Sequence, residues 1–333
     1  MKKLLIGALF FGFLFSSCKN SNKPNVDNIN VKIEVGRLDS EIFAFNKSNS
    51  DSLIASLKNK YGDFFNLYTS QIINIGNCNQ PQFSNSLLGF VSDPGVNKLV
   101  NAKDSVFSNF SEYQEKLQLA FKYYKYYFPE RNIPQIITQI SALNQSVVVT
   151  NSVLAISIDK YLGSSYPLYE QMGFYKYQQE KMSPEYLVAD AVRVWIQTEF
   201  VENIPHADLV STLLSEAKIA YITSLLLPEA DVRLAFNYSA EEYKWCLSEE
   251  KHMWDYLIEN NLLFGKDKLT IRHFVGNGPF TSEFGKESPG RAAVWLGYNI
   301  ICSYMKNNPQ VTIQQLVKNT DYRDVLQQSK YRP

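Results

Sequence analysis

Between Pro184 and Leu227 the sequence carries two long apolar helical patterns in succession, joined near Pro205. Leu187, Ala191, Val194 and Thr198 recur on one side of the first, with Val188, Val192, Trp195 and Glu199 beside them. The second holds Val210, Leu213, Leu214, Ala217, Ile219, Ala220 and Tyr221, so apolar residues cover most of its circumference. A helix of that kind has no wide face to give to water and belongs in the middle of a domain. The fold must be built around this pair. Glu216 interrupts the second stripe, with Leu213 three residues before it and Ile219 and Ala220 three and four after. A carboxylate there is either the one polar member of a packed core or the relic of a site.

The segments before the pair change from helical to strand-like periodicity. Val31, Ile33 and Val35 alternate with polar residues, as do Ile136, Thr138 and Ile140, and again Leu154, Ile156 and Ile158. Val147, Val148 and Val149 form a β-branched block between turn-prone residues. Helical patterns cover 51–60, a single long run at 104–128 closed by Pro129, and 240–260, while 76–86 reads as a loop. Ser288-Pro289 has the form of a cap and first turn for a helix over 291–305. Gly297 inside that helix costs roughly 1 kcal/mol against alanine, which implies a close neighbour. A last helix follows at 312–317 or slightly longer, and then a segment around 325–328. With no internal repeat and no second linker, the expected fold is α+β, a mainly helical single domain over 31–333 with a small sheet preceding the two central helices.

The N-terminus gives the location. Lys2-Lys3 is followed by an apolar stretch to Phe15, too short for an anchor helix, and then by Ser16-Ser17-Cys18. This resembles a bacterial lipoprotein signal, which implies cleavage of 1–17 and acylation of Cys18. Acyl chains attach a protein stably when there are two or more. Residues 18–30, rich in Asn, Ser and Lys around Pro24, cannot bury enough apolar surface to fold and read as a tether. The expectation is a lipid-anchored envelope protein facing the periplasm, with the choice of membrane open.

Lys plus Arg and Asp plus Glu each number 33, which argues against nucleic acid as a partner, since a phosphate backbone selects positive charge. His206, His252 and His273 are the histidines, and no HExxH pair, Cys/His cluster, nucleophile elbow, phosphate loop or dinucleotide fingerprint occurs. No metal or cofactor is expected. Cys78, Cys246 and Cys302 do not make a disulfide framework. The candidate residues are Asp190 and Arg193, three apart and able to pair, Lys218 as a second partner for Asp190, and Glu216. Arg291, at a helix start, offers contact to an anion or a partner. Asp190 and Glu216 could also serve as an acid/base pair in a hydrolase of changed mechanism.

Several short motifs occur in a definite order. They are Val35-Gly36-Arg37-Leu38-Asp39-Ser40-Glu41-Ile42-Phe43, Ser157-Ile158-Asp159-Lys160-Tyr161-Leu162-Gly163, Pro279-Phe280-Thr281, and Ser288-Pro289-Gly290-Arg291 with Trp295-Leu296-Gly297. The chain ends on Ser329-Lys330-Tyr331-Arg332-Pro333. With the lipoprotein-like start, they resemble the gliding-motility-associated lipoprotein GldB family over essentially the whole mature chain. That family is similar in turn to zinc peptidases of the gluzincin-like, HExxH kind. The resemblance implies a zincin-like fold with Glu216 where the third metal ligand would be, while the helix around Asp190 supplies neither histidine. It also implies an envelope role in gliding motility and the associated type IX secretion machinery, with other envelope proteins of that machinery as partners. Catalysis by the ancestral metal mechanism is not expected.

Overall fold

The computed structural model describes residues 23–200 and 207–333. The expected signal, Cys18, the joint at Pro205 and His206 lie outside those residues. One small mixed sheet is formed by β1 (Val35–Arg37), β2 (Gln135–Gln139), β3 (Val147–Val149) and β4 (Val153–Ser157), in the order β1-β2-β4-β3. β1 and β4 flank β2 in parallel, and β3 closes on β4 as an antiparallel hairpin. β4 is buried along its length and β2 at every position but Gln135, because helices cover the strands. The first strand is shorter than its sequence pattern. Val31 and Ile33 are buried and Lys32 and Glu34 exposed, yet these residues join no ladder. Val26 is already buried in the core, so the packed body begins before Val31.

The helices of eight residues or more are α1 (Ser50–Tyr61), α2 (Phe83–Val91), α3 (Pro94–Val106), α4 (Ser111–Tyr127) and α5 (Leu187–Glu199). They continue with α6 (Leu209–Leu226), α7 (Ala240–Glu259), α8 (Lys268–Val275), α9 (Ala292–Asn307) and α10 (Tyr322–Ser329). The run expected over 104–128 is in fact two helices. Asn109 accepts the amide of Ser111 at 3.0 Å, which starts a new helix, and Phe107, Phe110 and Tyr113 pack their rings together across the break. Nor is 76–86 all loop, since α2 starts at Phe83. The 288–291 segment also departs from expectation. Ser288 does not cap α9. Its hydroxyl bonds the carbonyls of Thr281 and Gly285, and the Ala292 amide donates instead to Thr281 Oγ1, eleven residues back.

α5 buries Leu187, Val188, Ala191, Val192, Trp195 and Ile196, with Trp195 against the rings of Phe121 and Tyr124 on α4. Val194 is half-buried and Thr198 exposed, so the face is rotated from the expected stripe toward the sheet and α4. α6 is the central helix. Its 18 residues are apolar enough to cross a bilayer by length and composition, but 56% of them are buried inside the protein. Leu209, Val210, Leu213, Leu214, Ala217 and Ala220 belong to an apolar cluster shared with α7, α8 and α9. Ile222 and Leu226, one or two turns on, belong to the other cluster, built on the sheet, α4 and α5. α6 is thus common to both apolar clusters.

At the start of the chain, the motif around Arg37 builds a buried ionic knot. Asp39, with no exposed surface, takes Arg37 in a two-pronged bond at 2.9 and 2.8 Å. It also accepts the Thr138 hydroxyl and lies 3.3 Å from the ammonium of Lys103 on α3. Burial works against this carboxylate, but Arg37, Thr138 and Lys103 together hold it below the usual carboxylate range. The knot ties β1 to β2 and α3.

Candidate functional site

A cleft of about 400 Å³ opens where several segments meet. From the end of β4 come Lys160 and Tyr161, and from α5 come Asp190 and Arg193. The turn before α7 supplies Asn237 and Tyr238, and two crossing loops supply Gly278 and Gly290-Arg291. A smaller recess beside it, containing Glu216, shares Arg193, Phe236, Tyr238 and Arg291. A larger groove of about 690 Å³, with Tyr123, Tyr127, Tyr221 and Tyr298 on its walls, lies apart from these residues.

Each segment is held by identifiable bonds. After β2, Ala142 and Leu143 take left-handed backbone angles of 53° and 66°, which side chains with a Cβ disfavour. Asp159 fixes that turn, accepting the amides of Ser141 at 3.0 Å and Leu143 at 2.7 Å. Lys160 then donates to the Leu143 carbonyl at 3.3 Å and lies 3.9 Å from the centre of the Phe174 ring. Burial lowers the Lys160 ammonium below its usual value, with Asp159 pulling the other way. The Gly278 and Gly290 backbones touch so closely that a Cβ on Gly290 would lie 2.2 Å from the Gly278 carbonyl oxygen. Arg291 follows in a left-handed conformation, φ 63°, and its carbonyl accepts the Tyr238 hydroxyl at 3.0 Å.

Asp159 has a measurable consequence. Burial pushes its carboxyl up to about 6, against the opposing amides and Lys160. The unfolded group titrates near ~3.9, so its protonated folded form adds stability that is complete below that pH. The contribution is lost as pH rises through about 6. From about pH 4 to about pH 7, the stability of the wild type relative to Asp159→Asn should fall by at most about 3 kcal/mol, as read by urea unfolding. A rise over that interval would contradict the assignment.

Most of the residues singled out from sequence do meet here. Arg193 Nη2 bonds Asp190 Oδ1 at 2.8 Å, and Tyr161 donates to Asp190 Oδ2 at 3.1 Å. Burial weakens the Arg193 charge, but Asp190, Tyr161 and Glu216 raise it overall. Arg291 Nη2 bonds Glu216 Oε2 at 2.5 Å. So Glu216 is half-buried and ion-paired, at the edge of the core rather than inside it. Lys218 is the exception. Its ammonium turns to the C-terminal segment, bonding the Asn319 carbonyl at 2.5 Å and the Tyr322 hydroxyl at 3.0 Å, so the expected pair with Asp190 does not form. Those partners buttress α10 against α6.

Sequence reasoning missed Lys160, Lys181, Asn237, Tyr238 and Glu242 as members of the site. Lys181 pairs with Glu242, which also closes a capping box with Ser239 at the start of α7. The Ser239-x-x-Glu242 pattern announces that helix start, though not the partner from 61 residues upstream. His252 pairs with Glu249 at 3.2 Å and His273 with Glu283 at 2.7 Å, each at the surface. Among the described residues, no three His, Cys, Asp or Glu side chains come together as a metal site would need.

No curated protein and no solved structure matches the chain. A family model described as gliding motility protein GldB matches residues 19–333. That span takes in the ionic knot, the sheet, the central helices and every residue of the cleft, so the chain belongs to the GldB family of gliding motility proteins.

Proposed function

We propose that this gliding motility protein is a non-catalytic binding or assembly component, attached to the envelope through acylated Cys18, facing the periplasm and working with proteins of the type IX secretion and motility machinery. The observation that carries the reading is the pairing of Glu216 with Arg291 at 2.5 Å, together with that of Asp190 with Arg193 at 2.8 Å. A general acid must hold a proton to give, and a general base must reach the substrate. A carboxylate oxygen already bonded to a guanidinium is occupied by that bond rather than free to exchange a proton with a substrate. We also read the order of sheet, first helix, and second helix bearing Glu216 as zincin-like, with the pair to Arg291 in place of a bond to metal. Protein purified from envelopes in detergent and mixed with a broad peptide library should leave every peptide intact, with or without added zinc. Cleavage that vanishes in Glu216→Gln would overturn the reading in favour of a hydrolase using Asp190 and Glu216.

A further inference from the structure

The balance of donors and acceptors in the cleft defines what it can hold. Asp190 is matched by Arg193, and Glu242 by Lys181. Among the described residues, no carboxylate is bonded to Lys160. Its ammonium meets the Leu143 carbonyl and the Phe174 ring, with the neighbouring Asp159 carboxylate acting on it without a direct ion pair, so that end of the lining presents an ammonium. Two residues of the lining also carry buried polar atoms with no partner among the described residues: Arg193 Nε, a donor, and Asn237 Oδ1, an acceptor. Buried polar atoms are rarely left so, and each calls for a water, an ion, a ligand or stored strain to account for it. Backbone strain is present too. Asn237 and Arg291 both hold left-handed angles, φ 59° and 63°, a feature that concentrates at ligand clamps.

A ligand completing this set must accept a hydrogen bond, donate another, and carry negative charge where Lys160 waits. A peptide unit has both a carbonyl and an amide N–H. Tyr161, Tyr177, Phe236 and Tyr238 are among the lining residues and add apolar surface for its side chains. Phosphate fits poorly. Its charge is spread over oxygens on every side, and a second negative charge would be repelled by Asp190 and Glu242.

We propose that the cleft binds a peptide segment carrying a carboxylate, with the carboxylate beside Lys160 and an amide unit spanning Arg193 Nε and Asn237 Oδ1. The proposal rests on the reading of this protein as a binding component and names the ligand class. The carboxylate is that of a chain terminus or of an acidic side chain, and the probes separate the two.

Full-length protein in detergent would be titrated calorimetrically with three acetylated tripeptides. These are Ala-Tyr-Ala with a free C-terminal carboxylate, the same peptide amidated, and amidated Ala-Asp-Ala. At least one carboxylate-bearing probe should bind about tenfold or more tighter than amidated Ala-Tyr-Ala, and which one does so identifies the source. Lys160→Met should erase that difference. Asn237→Gly, which keeps the left-handed backbone, should weaken all three alike. Equal binding of the three probes, no binding of any at millimolar concentration, or tighter binding of inorganic phosphate would each overturn the proposal. The wild-type comparison alone decides it if either variant fails to fold. Mass spectrometry of the recovered probes keeps the two readings apart, because cleavage would sink the non-catalytic function and leave carboxylate recognition standing.

Discussion

Replacing Asp39 with alanine should destabilise the protein by about 3–5 kcal/mol, because it strands buried positive charge. Lys103 is 2% exposed, and the carboxylate it faces at 3.3 Å is the buried member of its set of partners. Alanine would leave that ammonium with Ser40 and the exposed Asp104, and would free Arg37 from its two-pronged bond. Three elements would lose their common tie at once. Asp39→Asn keeps an acceptor for Thr138 and should cost less. The sign with pH is opposite to that of Asp159. The Asp39 carboxyl is held low when folded, so its contribution is present above about pH 4 and lost as pH falls through the folded value. Urea unfolding at neutral pH measures the alanine effect, and a loss below about 1 kcal/mol would show that the knot does not secure β1.

Gly297 offers a contest of signs. By helix propensity alone, alanine there should stabilise α9 by about 1 kcal/mol. Packing says otherwise. A Cβ at Gly297 would lie 2.7 Å from the Leu213 carbonyl oxygen and 2.8 Å from both Ala217 Cβ and Leu213 Cδ1. Those atoms belong to the backbone and tightly held side chains of α6, so α6 and α9 must move apart to admit it. Overpacking of this kind costs typically about 1–3 kcal/mol, and leucine should exceed alanine. The expected outcome is a net loss for Gly297→Ala and a larger one for Gly297→Leu, read as a fall in the urea midpoint with no change in slope. A stabilised alanine variant would mean that the helices sit further apart.

What could be read from the sequence follows from range. The strands at 135–139, 147–149 and 153–157 and the apolar α6 are set by local periodicity, and the expected positions hold to within a residue or two. Asp190 and Arg193, three apart on a helix, advertise their bond in the same way. Glu216 and Arg291 are 75 positions apart, and no periodicity reports which loop will bring a guanidinium to a given acid. The same blindness explains Lys218, whose buried partners come from about a hundred residues later. Thr281 supplying the cap expected of Ser288 is a case of a loop folding back on itself, which dipeptide signals do not encode. The Asp159-Lys160 motif was visible as a marker of resemblance, yet its physical task, fixing a left-handed turn and aiming an ammonium into the cleft, is apparent only when β2 and β4 lie side by side.

The helix common to both apolar clusters bars the protein from being dismantled into autonomous parts. Cut on either side of α6, one fragment keeps the strut and the other is left with a raw hydrophobic wound where Ile222 and Leu226, or Leu213 and Ala217, had been seated. Truncation on either side of α6 should therefore cost both clusters their packing.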